Sequence, residues 1–171
     1  MIILGIDPGI AIVGWGVIEY NQNKFRTIAY GAITTEAGLD VEVRLETVYR
    51  ELCEIIDFYK PDEMAVEELF FNTNITTGIA VAEARGVILL AGIQRGLRIA
   101  EYTPLQVKSA IVGYGRAEKK QVMTMVASLL RLKNVPKPDD TADALAIAVC
   151  HAHSGCSKLA SFYNQKKTRL T

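Results

Sequence analysis

The sequence predicts an α/β protein: a mixed five-stranded sheet in the order βββαβαβα, flanked by helices. Three observations carry this. The first 34 residues fall into three strand-like apolar stretches separated only by PGIA and NQN, as neighbouring antiparallel strands do. From Asp40 the apolar positions change to intervals of three and four, the period of a helix. Beyond it, short strand-like stretches at 64–67 and 97–101 each lead into helical periodicity, and alternation of strand with helix gives parallel pairing.

Residues 2–7 read as a buried strand, 13–20 as a second with Val13, Trp15, Val17 and Ile18 as its apolar positions, and 25–34 as a third. In the first helix Val41, Leu45, Val48, Leu52, Ile55 and Phe58 share a face, with Glu42, Glu46, Arg50 and Glu54 between them; Pro61-Asp62 ends it. Met64-Ala65-Val66 with Glu67 is a short strand. Residues 74–96 form a long helix, apolar nearly all round from Val87 to Ile93, which predicts either a central core helix or a subunit contact. LRIAE, 97–101, is the last strand. Helices follow at 104–113 and 118–131, and an Ala-rich helix runs from Asp140 to His153. The expected organisation is one domain over 1–153 and a tail over 154–171, which has four basic residues and no acidic one and is expected to be poorly ordered without a partner.

Composition narrows the class. Of 171 residues, 50% are apolar and 22% charged, as in a globular protein. The longest apolar run, 87–93, is far below the roughly 18 residues of a membrane span, and no signal-peptide pattern opens the chain, so a cytoplasmic or nuclear protein without membrane contact is expected. The three cysteines form no CxxC pair, which fits a reducing compartment. Cys150, His153 and Cys156 recur at intervals of three, but structural zinc usually takes four ligands, and packing at a helix end is the preferred reading.

Net charge is zero, yet residues 1–84 carry five basic and fourteen acidic side chains whereas residues 85–138 carry ten basic and two acidic ones. A basic face of this kind acts on a polyanion even when acid lies on the far side of the molecule, because charges are screened over about 8 Å.

Against that background the placement of a few carboxylates stands out. Asp7 ends the first strand and Glu67 the fourth, and parallel neighbours would bring both to the carboxyl edge of the sheet, where open α/β sheets hold their sites. Asp140 and Asp143 lie three apart at a helix start and so share a face. Singly, each has an ordinary explanation in turn formation, capping or the helix dipole. Gathered together they repel, at about 4 Å, by several kcal/mol per pair at a protein-like dielectric, so they must take up protons or cations. Four hard oxygen donors suit Mg²⁺ or Mn²⁺, and two such ions about 4 Å apart clamp the attacking and leaving oxygens of a phosphodiester.

GIDPG near the start, AVEELFF, QVKSAIVGYGRAEKKQV and PDDTADALAIAVCH, in this order and spacing, resemble the RuvC family of bacterial Holliday-junction resolvases over residues 1–153. The resemblance implies a ribonuclease-H-like fold, a cytoplasmic bacterial homodimer, and symmetric Mg²⁺-dependent nicking of four-way junction DNA in recombination and repair. It implies two magnesium ions per subunit, replaceable by manganese, and work alongside a branch-migration motor of RuvA and RuvB. Carried over by position, the catalytic and metal-binding acids are Asp7, Glu67, Asp140 and Asp143, the two functional lysines Lys108 and Lys119, and the junction-probing aromatic Phe70, with Phe71 beside it. Arg85, Arg116 and Lys120 would position the DNA backbone. Stacking of an aromatic on an unpaired base contributes roughly 1–3 kcal/mol, enough to favour an opened step at a strained junction.

The chain departs from the pattern in places. Glu68 stands where relatives commonly have Gln, Asp139 adds a carboxylate before Asp140, and Ile10 replaces a frequent small polar residue. Strand alternation sends Glu67 and Glu68 to opposite faces, so one alone joins the site, and alignment chooses Glu67. DPGIAIVGWG also looks like the phosphate loop of actin-like ATPases and sugar kinases, which need a second domain that this length cannot hold. A ribonuclease H acting on RNA–DNA hybrids shares the acid cluster but not the QVK and AEKK segments, and a non-catalytic junction-binding protein would have a disrupted acid set.

Overall fold

Strand β1 (Ile2–Asp7) lies at the middle of the sheet and decides the rest of it. In the computed structural model, which describes residues 1–69 and 75–155, β1 pairs antiparallel with β2 (Ile12–Asn21) and parallel with β4 (Glu63–Glu67). Outside these, β3 (Lys24–Thr34) pairs antiparallel with β2, and β5 (Arg98–Tyr102) parallel with β4, giving the order β3-β2-β1-β4-β5. The first three strands form the meander that their short connections require. A bulge between Val17 and Ile18 shifts the β2–β3 register.

Alternation along β1 sorts its side chains between two layers. Leu4 and Ile6 pack with Val13, Val17, Met64 and Val66 beneath α1 (Val41–Tyr59) and α2 (Ile75–Gln94), against Val48, Leu52, Ile56, Ile88 and Ala91. On the other face Ile3, Ile18 and Ala65 meet α3 (Pro104–Val112), α4 (Lys119–Leu129) and α5 (Asp139–Gly155) through Val107, Ile111, Val122, Val126, Leu145 and Ile147.

The central helix is α5, whose residues from Ala144 to Cys150 are all buried. The long apolar α2 has only one side on the core, at Ala84, Ile88 and Ala91; Ile79, Leu90 and Ile93 are exposed. Of the two roles its composition allowed, the central one therefore belongs to α5. Small side chains explain why: Gly5 and Gly14 let the helix backbone rest on the strands, and a Cβ at either glycine would lie 2.1 Å from the Ala144 carbonyl oxygen or 2.0 Å from that of Asp140. Among the described residues no helix is long and apolar enough to cross a membrane. Phe70, Phe71, Cys156 and the tail from residue 156 lie outside the described residues.

Candidate active site

The same alternation that buries Ile3 and Gly5 under α5 turns Asp7 to that face, and in β4 it turns Ala65 and Glu67 there too. Ile6 pairs with Val66 in parallel register, so Asp7 and Glu67 follow side by side at the carboxyl ends of their strands. Asp7 is itself opposite Gly14, the residue on which the Asp140 carbonyl rests. The buried Thr141 hydroxyl donates to the Gly31 carbonyl at 3.1 Å and fastens the start of α5 to β3. Three elements thus deliver Asp7, Glu67, Asp140 and Asp143 to one end of the sheet.

Electrostatics record their proximity. Burial, reinforced by Glu67, Asp143 and Asp140 and opposed by Lys119, pushes the Asp7 carboxyl up to about 8. Burial and Asp143 push Glu67 up to about 7, against the pull of Lys119 and Lys108. Asp143 is raised by burial and by Asp140 and Asp139, against its hydrogen bond from Lys119.

Glu67, Asp143, Lys108 and Lys119 line a cleft of about 200 Å³ with Pro104, Val107 and Val122. Thr103 caps α3 through Gln106 and so fixes the helix that carries Lys108. Lys119 opens α4, and its ammonium lies 2.8 Å from Asp143 Oδ2 and 4.0 Å from Asp139 Oδ2. Burial alone would lower the proton affinity of Lys119, but the hydrogen bond and the attraction of Asp143, Asp139 and Asp7 leave it raised.

Neighbouring carboxylates, with the proton affinity of Asp7, Glu67 and Asp143 raised, are the donor chemistry that a hard divalent cation takes. As the side chains stand, among the described residues no three carboxylate, imidazole or thiol groups form a ready ligand set.

The remaining candidates are dispersed. Arg85 is half-buried, its Nε 3.3 Å from the Glu67 carbonyl oxygen and its Nη2 paired with Glu101, so it braces the end of β4 from α2. Arg116 is exposed, and Lys120 faces a separate groove with Tyr114, Gln121 and Met125. Asp139 is turned outward, its Oδ1 2.6 Å from Lys137 Nζ; that hydrogen bond holds its carboxyl below the usual range. Glu68 is absent from the cleft lining, and its amide donates to the Tyr102 carbonyl at 2.8 Å. Cys150 is buried, and burial pushes its thiol up to about 11; the His153 ring meets the edge of Phe25 at 5.3 Å.

Sequence reasoning passed over Thr141 and the glycines beneath α5. The signal for the latter was present, since Gly14 and Gly16 recur at the two-residue period of a strand face. It also passed over a buried chain in which Tyr102 OH lies 2.8 Å from His151 Nδ1 and His151 Nε2 lies 2.6 Å from Glu63 Oε2, joining α5 to β4 and β5.

A sheet of this order, with its acids at the carboxyl edge of the central parallel pair and on the face of the covering helix, defines a nuclease of the ribonuclease-H-like class. The sequence profile of crossover junction endodeoxyribonuclease RuvC matches residues 3–151. The RuvC proteins of Clostridioides difficile and Alkaliphilus metalliredigens are each 61% identical to this chain, covering 90% and 91% of it and 91% and 94% of their own lengths. The chain belongs to the RuvC family. The structure of Thermus thermophilus RuvC in complex with a Holliday junction substrate superposes with a TM-score of 0.84 at 36% identity, over 89% of this chain and 93% of that one. A yeast mitochondrial Holliday junction resolvase, 14% identical over 95% of this chain and 83% of its own, shares the fold with a TM-score of 0.68.

Proposed function

We propose that this protein is a structure-selective endodeoxyribonuclease that resolves four-way DNA junctions by paired symmetric nicks, leaving 5′-phosphate and 3′-hydroxyl ends, in bacterial recombination and repair. The observation that carries the reading is the convergence of Asp7, Glu67, Asp140 and Asp143 from two strands and one helix beside the ammonium of Lys119. These acids would hold two Mg²⁺ ions, or Mn²⁺ in their place, which when bound supply Lewis acidity to the scissile phosphate and to the attacking water. Asp7, set by a buried strand, would be among their ligands. Glu67, Asp140 and Asp143 complete the donor set. Lys108 and Lys119 hold the phosphate and offset the charge that develops on it. Arg116 and Lys120 meet the DNA backbone, and Phe70 or Phe71 probes the junction.

A four-way junction has near-two-fold symmetry, and a two-fold dimer would set two such sites against equivalent strands. The exposed face of α2, with Ile79, Leu90 and Ile93, is the seam this reading assigns to the homodimer. The protein would act in the bacterial cytoplasm with a RuvA and RuvB motor.

The test is one set of incubations: a synthetic four-way junction, a linear duplex and an RNA–DNA hybrid, each with Mg²⁺, with chelator, and with the D7N variant. Symmetric nicking of the junction alone, lost with chelator and in the variant, is the expected result. Equal cutting of the hybrid would overturn the reading in favour of a ribonuclease H. Junction binding without any cleavage would make the protein a non-catalytic binder.

A further inference from the structure

We propose that Lys119 is the built-in counter-ion of the acid cluster, and that Asp139 is the second anchor to which its ammonium moves when a divalent cation takes Asp143. The inference rests on the metal-binding reading above and adds a role for a carboxylate which that reading leaves out.

Geometry sets Lys119 and a cation in competition for Asp143. Lys119 Nζ lies 2.8 Å from Asp143 Oδ2. An ammonium has donors and no lone pair, so it cannot join a cation's ligand shell; it takes up one acceptor site on Asp143 and sets a positive charge beside any cation bound there. The alternative seat is already formed. Asp139 Oδ2 lies 4.0 Å from the same Nζ, while Oδ1 is held at 2.6 Å by Lys137, so the carboxylate is oriented with its second oxygen toward Lys119. A small swing of a flexible four-carbon stem exchanges one partner for the other, with the backbones of α4 and α5 unmoved.

Asp139 suits this task because it is more exposed than Asp143, at 42% against 29% of its side chain. It attracts the ammonium without being drawn into the cluster. Held there, Lys119 remains at the rim of the cleft it shares with Lys108, where a phosphate would meet it. Asp139 is a positioning residue on this account: it acts through Lys119.

The measurement is Mn²⁺ binding to the DNA-free full-length protein, read as free Mn²⁺ by electron paramagnetic resonance, with thermal melting to establish that each variant folds. K119M should bind the ion about fivefold more tightly, since an ion pair of this kind contributes up to about 1 kcal/mol and 1.4 kcal/mol is tenfold. D139N should bind about two- to threefold more weakly, and D139E should restore affinity. In the K119M background, D139N should change nothing. Equal or weaker binding by K119M would overturn the counter-ion role. An unaltered affinity in D139N, or an effect of D139N that persists without Lys119, would overturn the anchor, the latter marking plain long-range charge. Should the unaltered protein bind no Mn²⁺ that D7N loses, the metal-binding reading fails and takes this inference with it; binding that ignores K119M sinks the inference alone.

Discussion

Asp7 and Glu67 leave the sheet side by side, each one residue beyond the Ile6–Val66 pair of a parallel ladder, and Glu67 helps to raise the proton affinity of Asp7. Two acids so fixed cannot separate without breaking the β1–β4 ladder. D7N and E67Q should therefore each reduce junction nicking by roughly 10²-fold or more, the scale of losing a group that stabilises transition-state charge. Junction binding should persist, because less negative charge then faces the phosphates. Gel-shift and nicking assays on the same preparations separate the two effects, and a variant that binds poorly but cuts normally once bound would contradict the assignment.

The same burial ties stability to pH. Asp7 and Glu67 are raised from 3.8 and 4.5 to about 8 and about 7, so the folded protein keeps protons that the unfolded chain has released. Their contribution is complete below about pH 4 and is lost as pH rises through 7 and 8. In chelator, the melting temperature should fall by several degrees between pH 5 and 8.5, at about 2–4 °C per kcal/mol for a domain of this size. D7N should flatten the slope, and Mg²⁺ should stabilise most at the alkaline end. A melting temperature that climbs across this range would show that the acids are not held as described.

These relationships were partly legible in the chain. Asp7 could be read because a buried strand ends there; the two-residue period of a strand says only that Glu67 and Glu68 point to opposite faces, and the family resemblance chose Glu67. Ala65 faces α5 while Met64 and Val66 face α1 and α2, and Glu67 lines the cleft with Asp143. Asp140 and Asp143 followed from helical spacing. The central helix did not follow: α5 is built largely of alanine and gives a weak apolar signal, whereas α2 is rich in valine, isoleucine and leucine on both its buried and its exposed sides. Hydropathy records what a side chain is, and cannot distinguish a core from a face awaiting a partner. Arg85 was read as a DNA contact because it opens the basic half of the chain, and its pairing with Glu101 is a relation between separate elements that spacing does not reveal.

That pairing sets a prediction of its own. Since Arg85 braces the Glu67 carbonyl and is only 18% exposed, R85Q should lower the rate of nicking by about tenfold while leaving junction affinity within about twofold, the pattern of a displaced catalytic group. Loss of affinity with an unchanged rate on bound junction would mark Arg85 as a DNA contact instead.

Gly14 tests how closely α5 must approach. A methyl group there would stand 2.0 Å from the Asp140 carbonyl oxygen and 3.0 Å from the Thr141 nitrogen, so the helix has to retreat. G14A should cost about 1–3 kcal/mol in thermal or urea unfolding, the range for forcing extra volume into a packed interior. Activity should fall by more than the folded fraction explains, because Asp140 and Asp143 move away from Asp7 with the helix; displacement by about 1 Å is enough for roughly 10²-fold. A folded G14A with full activity would mean that the acids tolerate a looser helix.

The seam assigned to α2 yields the last prediction. Ile79, Leu90 and Ile93 are 54%, 48% and 62% exposed, and their spacing sets them along one side of the helix with Gly86 between them. A Cβ at Gly86 would meet nothing within 4 Å, so this stretch offers a shallow apolar saddle into which a second helix can settle. Burying an unpaired carboxylate in such a seam is strongly unfavourable. The combined L90E and I93E variant should therefore be monomeric at micromolar concentration by light scattering; it should still fold, since both side chains face water in one subunit, but melt lower than the unaltered protein because the contact between subunits is lost. On a four-way junction it should release single nicks, where a dimer of the unaltered protein would cut both strands within one encounter. If the doubly substituted protein stays dimeric, or the unaltered one is a monomer, α2 is not the seam; if the monomer still makes paired cuts, symmetry of the cleavage has another source.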